Sequence, residues 1–302
     1  MQIGFLTNCL HDQSLEQIIA WAGANGFQNL ELAAWPVKGR GPNPDLDVIQ
    51  LDEAGAGELL ALAAEHGVAF SCVTYCENLL HRDPRERERL LAHVRRVIEA
   101  ARLLNVDVVS TFIGRNETLT LEQNLDEMER VFAPLLKLAA ERGVRLAIEN
   151  CPMPGMQFEG LTGNIAYAPD LWDEVFRRLP HSNFGLNLDP SHLVWLGVDY
   201  LAAVHEYAPR IFHTHAKDTE IFPERRARAS ILNSGWDSWW RYRLPGLGEI
   251  DWPRWVEALN QIGYHGVLSI EHEDPEWAGS EEKITEGLLL AKQHLQASQP
   301  GL

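Results

Sequence analysis

The chain has 302 residues, of which 45% are hydrophobic and 23% are charged, and its formal net charge is −17 at pH 7. That length and composition fit a globular protein with a full-sized core, either as two ordinary domains or as one large α/β barrel. Because an acidic chain repels nucleic acid and anionic membrane surfaces, we expect neither as a partner.

Short apolar runs alternate with amphipathic helical stretches along the whole chain. The runs that we predict as strands are residues 3–6, 29–33, 69–74, 107–112, 145–149, 183–188, 211–215 and 267–271. Eight βα units at a spacing of roughly 38 residues predict an α/β fold, a single (β/α)8 TIM barrel that spans residues 1–302 as one domain. A doubly wound open sheet is the alternative, but the segment after the first strand, "LTNCLHDQS", lacks the glycine-rich fingerprint that such a sheet favours.

The cysteines and the N-terminus indicate the cellular compartment in which we expect the protein. None of Cys9, Cys72, Cys76 and Cys151 forms a CxxC pair, so we predict reduced thiols in a cytoplasmic protein. The N-terminus lacks the basic segment and the long apolar segment of a signal peptide, so we do not expect one. No apolar run approaches the length of a membrane span. The only dense basic run, residues 224–229, is expected to be a solvated loop. The oligomeric state stays open, with a homo-oligomer among the alternatives.

Two long segments interrupt the βα rhythm, residues 151–170 after the fifth strand and 219–251 after the seventh. Loops that follow barrel strands lie on the face where active sites form, so we expect both to shape the site or its lid. The second loop contains "WDSWWRYR", from Trp236 to Arg243. Aromatic faces stack on sugar rings and arginine binds oxyanions; a hydrophobic lid or a subunit contact is the equal alternative.

Four consecutive predicted strands, the fifth to the eighth, each end in a potential metal ligand: Glu149, Asp189, His215 and Glu271. The ends of barrel strands converge, and three carboxylates at one point repel each other unless a cation lies among them. We therefore predict one divalent metal ion. The carboxylates favour Mn²⁺, Mg²⁺ or Co²⁺, and the imidazole leaves Zn²⁺ as an alternative. Separate ion pairs at the strand ends are the other interpretation.

Further polar and aromatic residues lie near the same strand ends. Glu31 belongs to strand two, and His213 shares a side of strand seven with His215, where it either supports the site or fills the core. Arg115 follows strand four and either meets an anionic substrate group or forms a surface ion pair. Trp35 and Trp195 line the mouth of the barrel or belong to the core.

Five motifs carry a family resemblance. They are "LAIEN" (146–150), "LDPSH" (188–192), "HTHAKD" (213–218), "PGLGEIDW" (245–252) and "GYHGVLSIEHED" (263–274). In this order they resemble the xylose-isomerase-like TIM barrels, the sugar phosphate isomerase/epimerase superfamily, which includes tagatose epimerases, inosose dehydratases and, distantly, endonuclease IV. Endonuclease IV binds three zinc ions and needs additional histidines at the ends of strands three and four. Here those strands end in "VTYCEN" and "STFIGR" without a histidine, so the resemblance does not extend to a three-zinc site.

The resemblance implies a Mn²⁺-type site from the four ligands named above and substrate contacts from His192 and Lys217. In the epimerases of this superfamily two glutamates act as acid and base on opposite faces of a cis-enediolate, which implies these catalytic roles for Glu149 and Glu271. Arg243, Trp35 and Arg115 complete the expected substrate contacts.

We therefore predict a divalent-metal-dependent sugar isomerase or epimerase that works by proton transfer through a metal-stabilised cis-enediolate. A proton next to a carbonyl is too weakly acidic for a free carboxylate, and a divalent cation stabilises the charge that develops when that proton leaves. One alternative is a lyase or dehydratase that expels a β-leaving group from an inosose or a 3-keto-glycoside. An alternative of another class is a catalytically inactive sugar-binding barrel.

Overall fold

The structure is a computed structural model that describes residues 1–37, 42–153, 162–229, 231 and 239–299. Eight parallel strands close into a barrel, with β1 paired to its last strand, β10. The barrel strands are β1 (Gln2–Leu6), β2 (Asn29–Ala33), β3 (Ala69–Thr74), β4 (Val108–Thr111), β5 (Arg145–Glu149), β6 (Phe184–Leu188), β7 (Ile211–Ala216) and β10 (Val267–Ile270). The predicted (β/α)8 barrel is confirmed, and each predicted strand end lies within one residue of the observed end.

Helices surround the barrel, and the main hydrophobic core lies between them and the strands. They are α1 (Leu15–Ala24), α2 (Glu53–Glu65), α3 (Pro84–Leu103), α4 (Leu121–Glu141), α5 (Pro169–Arg178), α6 (Pro190–Leu196), α7 (Tyr200–Glu206), α8 (Pro223–Ala229), α9 (Trp252–Gln261) and α10 (Glu281–Ala297). Their starts follow sequence signals: Ser14 caps α1 in a capping box with Gln17, and Pro84 opens α3 after the cap Asp83.

The prediction of a loop at residues 224–229 is wrong, because these residues belong to helix α8. Pro223 opens this helix, Glu224 lies in its first turn, and Arg226 and Arg228 lie in its last turn. This charge order suits the helix dipole, so the run gains a helical conformation while the side chains of residues 224–228 remain exposed.

The long loop after β7 contains a second small sheet. Two further strands, β8 (Asp218–Ile221) and β9 (Trp240–Arg243), pair antiparallel outside the barrel. Asp218 organises the base of this hairpin, because its carboxylate accepts hydrogen bonds from the backbone amides of Gly246 and Ile250 and from the indole of Trp252. The hairpin is therefore joined firmly to the barrel at the face where the strands end.

The interior of the barrel is polar at its middle. This polar barrel layer consists of Glu31, Cys72, Thr74, Ser110, Asn187, His213, His215 and Ser269, all of them buried. Buried polar groups are costly unless hydrogen-bonded, and here neighbouring strands supply the partners, as when Asn187 Nδ2 donates to Ser110 Oγ over 3.0 Å. The layer lies directly below the ends of the strands.

Within the described ranges, no helix combines the length and the apolarity that a membrane crossing requires. All four cysteines are free thiols. The cytoplasmic location and the single domain over residues 1–302 stay predictions.

Candidate metal centre

The four predicted ligands meet at the end of the barrel. Glu149 is the last residue of β5, Asp189 follows β6, His215 lies in β7, and Glu271 follows β10. Each offers one ligand atom, and the four atoms lie within 4.8 Å of one another. The side chains of the first three are buried, and that of Glu271 is 14% exposed. The structure thus brings this set together, as strand-end convergence predicts; their role as ligands stays a prediction.

Local hydrogen bonds hold the ends of β5 and β6 in place. The side chain of Asn150 clamps the backbone of Asp189, accepting from its amide over 2.8 Å and donating to its carbonyl over 2.9 Å. Asp189 also caps α6, because its Oδ1 accepts from the amide of Ser191 over 2.8 Å. These contacts direct the other carboxylate oxygen, Oδ2, into the site.

Two buried atoms of the site, His215 Nδ1 and Asp189 Oδ2, form no well-aligned hydrogen bond among the described residues, although polar groups lie within 3.2 Å of both. His215 Nδ1 lies 3.1 Å from Glu271 Oε2 and 3.5 Å from Glu149 Oε1. Unsatisfied buried polar atoms are rare in folded proteins and point to a missing ion or water. Three carboxylates and one imidazole are a suitable donor set for a divalent cation, so these residues fit a metal ion.

Lys217 provides positive charge beside the same carboxylates. Its Nζ lies 2.5 Å from Glu271 Oε2, 2.9 Å from Glu273 Oε2 and 3.2 Å from Asp189 Oδ2, and its side chain is 1% exposed. Burial would lower the pKa of Lys217, but Glu271 and Glu273 raise it well above its ordinary value. The ammonium group is therefore charged and offsets part of the local negative charge.

The two candidate catalytic glutamates have different environments. Burial would raise the pKa of Glu149, but His215 and His192 outweigh this effect and lower it. Burial raises the pKa of Glu271, although Lys217 and His215 oppose the shift. Carboxyl groups with pKa values shifted in opposite directions suit different roles in proton transfer.

His192, in α6, lies beside the site and has polar contacts through both ring nitrogens. Its Nε2 lies 3.2 Å from Glu149 Oε1 and 3.1 Å from Asp189 Oδ2. The hydroxyl of Tyr242, in β9, lies 2.8 Å from His192 Nδ1, and the Tyr242 ring lies 4.5 Å from Lys217 Nζ. Sequence reasoning did not single out Tyr242. The alternation of aromatic and arginine residues in "WRYR" was the available signal, because it is typical of a strand with two different faces.

A cavity of about 190 Å³ opens above these residues. It is lined by Leu6, Asn8, Trp35, Thr74, Cys76, Phe112, Glu149, Cys151, His215, Lys217, Glu271 and Glu273. Two predicted substrate contacts, Trp35 and Lys217, thus face the cavity, while the other three are not among its described lining residues: His192, Arg115 and Arg243. Cys76 was not predicted for the site, and its Sγ lies 3.5 Å from Glu149 Oε2.

Arg243 is held by acidic residues of β8 and of the loop after β10. Its guanidinium lies 2.7 Å from Asp274, 2.6 Å from Glu220 and 3.2 Å from Glu276. The pairs with Asp274 and Glu276 attach β9 to the loop after β10, and the pair with Glu220 attaches it to β8. The structure thus gives Arg243 an anchoring role, and its contact with a substrate stays a prediction. At Arg115, the described hydrogen bonds join its backbone to the side chain of Asn78.

The tryptophans around the hairpin pack on each other. The rings of Trp195 and Trp240 stack with centroids 4.4 Å apart and planes 6° apart, and Trp239 and Tyr242 complete a buried aromatic cluster. This packing favours the interpretation of a hydrophobic support over that of an open platform for a sugar. Trp236 lies outside the described residues.

Comparison with known proteins identifies a family. The family model described as xylose isomerase-like TIM barrel matches residues 19–294. YfiH of Bacillus subtilis, an uncharacterized protein, is 30% identical over 133 residues, 42% of each chain. Inosose isomerase of B. subtilis is 26% identical over 211 residues, 70% of this chain and 68% of that protein. Inosose dehydratase of Geobacillus thermodenitrificans is 30% identical over 145 residues, 46% and 44% of the two chains. The chain thus spans less than half the length of YfiH and of the dehydratase.

Two solved structures show the same fold over almost the whole chain. D-psicose 3-epimerase from Clostridium cellulolyticum H10, solved with D-tagatose, has a TM-score of 0.70 at 18% identity and 99% coverage of both chains. The IOLI protein with a binding zinc atom has a TM-score of 0.70 at 19% identity, covering 99% of this chain and 96% of the other. At these identities the likeness establishes the fold alone.

Proposed function

The chain belongs to the xylose isomerase-like TIM barrel family, and from that premise we propose that it is a divalent-metal-dependent sugar isomerase or epimerase. The observation that carries the proposal is the convergence of four potential ligand atoms within 4.8 Å of one another, from Glu149, Asp189, His215 and Glu271. The donor set favours Mn²⁺, with Mg²⁺, Co²⁺ or Zn²⁺ as alternatives; the zinc atom bound by the IOLI protein supports the last of these.

The bound ion would supply the positive charge that stabilises a substrate carbonyl oxygen when a neighbouring carbon loses its proton. Glu149 and Glu271 approach His215 Nδ1 from β5 and from β10. Placed on two sides of the site, one glutamate removes a proton from the substrate and the other returns one to the intermediate cis-enediolate. Lys217, held at 2.5 Å from Glu271 Oε2, keeps that carboxylate oriented.

The cavity suits a small carbohydrate. Its lining includes charged groups, Lys217 and Glu273, which can hydrogen-bond to hydroxyls, and the indole of Trp35, on which a sugar ring can pack. Trp35 is itself positioned by Glu77, to which its indole N–H donates over 3.0 Å. His192 contacts two of the proposed ligands, Glu149 and Asp189, so any contact that it makes with the substrate would lie beside them.

A lyase or dehydratase is the second candidate. The observation in its favour is the 30% sequence identity with inosose dehydratase over 145 residues. The same proton removal serves both reactions. In the lyase, the electron pair left behind by the removed proton expels a leaving group from the β-carbon. In the isomerase, the same pair takes up a proton at the neighbouring carbon.

The test combines metal analysis with proton exchange. Wild type, Glu271→Gln and the surface control Glu257→Gln are assayed for bound metal and incubated in D₂O with ketoses, inososes and 3-keto-glucosides. We expect about one divalent ion per chain and deuterium in a substrate or product with wild type and the control but not with Glu271→Gln. An exchanged sugar identifies isomerisation, and a dehydrated product identifies the lyase. Absence of exchange with every sugar in metal-loaded wild type would favour an inactive binding barrel.

A further inference from the structure

A buried carboxylate lies below the candidate metal centre. Glu31, in β2, is 0% exposed. His215 Nε2 lies 3.1 Å from both of its oxygens, Ser269 Oγ donates to Oε2 over 2.5 Å, and the Thr74 hydroxyl donates to Oε1. An isolated carboxylate at this depth would be very costly, but here donors from three other strands satisfy both oxygens. Glu31 is therefore an ionised hydrogen-bond acceptor inside the barrel.

This acceptor fixes the hydrogen positions of His215. An ionised carboxylate can only accept, and both Glu31 oxygens face Nε2. Asn187 Nδ2 also lies 3.0 Å from Nε2, but the charged carboxylate is the stronger partner, so we assign a hydrogen on Nε2 that is donated to Glu31. A neutral imidazole has one N–H, which leaves Nδ1 with a free lone pair. That Nδ1 forms no well-aligned hydrogen bond among the described residues, and it faces Glu149 and Glu271.

We propose that Glu31 is a positioning residue of the metal centre, which holds His215 in the Nε2–H tautomer and directs Nδ1 at the cation. The proposal rests on the proposed metal site. Histidines that bind metals usually donate their second N–H to a carboxylate or carbonyl, and this outer contact orients the ring and increases the basicity of the ligand. Glu31 thus acts through His215.

A second ion at Glu31 is the competing interpretation, because Glu31, Cys72 and His213 also offer ligand atoms within 4.8 Å of one another. The partners of His213 argue against it. Its Nδ1 lies 3.2 Å from Asn187 Oδ1 and its Nε2 lies 3.1 Å from Ser71 Oγ, while its distance to Glu31 is 3.9 Å. Both ring nitrogens thus have other partners, and both Glu31 oxygens already accept hydrogen bonds.

The test is Glu31→Gln in the full chain. Glutamine has nearly the same shape, and the hydroxyls of Ser269 and Thr74 can turn to accept from its amide. We expect metal affinity, measured by calorimetric titration with Mn²⁺ and Co²⁺, to fall about 10–100-fold, and the visible absorption of the Co²⁺-loaded protein to change. Ser269→Ala removes one donor but keeps the charge of Glu31, so it should weaken binding much less.

A direct readout of the tautomer does not depend on any variant folding. In the Zn²⁺-loaded wild type, long-range ¹H–¹⁵N NMR spectra should show the hydrogen of His215 on Nε2; a hydrogen on Nδ1 overturns the proposal. Unchanged Co²⁺ affinity and spectrum in Glu31→Gln would assign Glu31 to the fold alone and leave the proposed function intact. Two ions per chain, with one lost in Cys72→Ser, would make Glu31 a ligand and also overturn it. Failure of wild type to bind any of these metals would remove the proposed function together with this inference.

Discussion

The hydroxyl of Tyr242 connects the β8–β9 hairpin to the candidate metal centre, and we predict that Tyr242→Phe weakens both the fold and the site. Tyr242 Oη lies 2.8 Å from His192 Nδ1. Phenylalanine retains the ring that lies 4.5 Å from Lys217 Nζ but removes this hydrogen bond. The substitution therefore isolates the contribution of one hydroxyl group.

The expected magnitude follows from the burial of His192. Because His192 is 0% exposed, no solvent replaces the lost partner of Nδ1, and a buried polar atom left without a partner costs about 1–3 kcal/mol. With an unfolding entropy of about 2.1 cal/mol/K per residue, a chain of 302 residues converts this cost into a fall in Tm of roughly 2–5 °C. We also expect metal binding to weaken about ten-fold, because His192 supports Glu149 and Asp189.

Thermal unfolding followed by circular dichroism and calorimetric titration with Mn²⁺ test both effects. Tyr264→Phe is the matched control: its hydroxyl donates to the carbonyl of Val267 over 3.0 Å at the start of β10, away from the strand ends. The control should lower Tm without changing metal affinity. If Tyr242→Phe retained both the Tm and the affinity of wild type, the claim that Tyr242 holds His192 would be refuted.

Two further predictions concern charged groups. Lys217→Met removes the ammonium group beside Glu271 and Asp189, so we expect the free energy of unfolding of the metal-free protein to fall by about 3–5 kcal/mol. In denaturant titrations, adding Mn²⁺ should increase the stability of this variant more than that of wild type. An equal increase in both proteins would contradict the charge-offsetting role of Lys217. Burial, opposed by Glu31, lowers the pKa of His213 from 6.5 to about 4. The native state therefore binds fewer protons than the unfolded chain between these values, and stability present above pH 6.5 should fall by about 3 kcal/mol as pH decreases to 4. Urea unfolding of wild type and His213→Gln at pH 7 and pH 5 should show about 2 kcal/mol of this loss in wild type only, and an identical pH dependence in both would exclude His213 as its source.

The barrel and the four converging residues could be predicted because their signals are local. Each strand is a short apolar run, and each proposed ligand is the last residue of such a run or lies next to it. The closed parallel barrel then brings these ends together whatever the intervening helices contain. Asp189 and His215 were therefore found without any knowledge of distances.

The remaining features of the site depend on contacts between distant segments. β8 and β9 are four-residue strands separated by a long insertion, so their pairing has no short-range turn signal. The position of Tyr242 depends on that pairing. Arg243 was expected to contact a substrate because its side chain suits an anion, whereas its burial beside Asp274 is a property of the folded loops. The stacking of Trp195 on Trp240 is equally non-local.

The polar barrel layer has a consequence for how the protein folds. The donors to Glu31 are separated from it by 43, 184 and 238 residues along the chain. An open half-barrel would bury this carboxylate with only part of its partners, and a partly satisfied polar network is worse than none. Ring closure by β10 therefore completes these hydrogen bonds and the ligand cluster in the same event. Partly closed barrels are therefore higher in free energy than the closed barrel. This makes assembly of the fold cooperative around the residues that we assign to function.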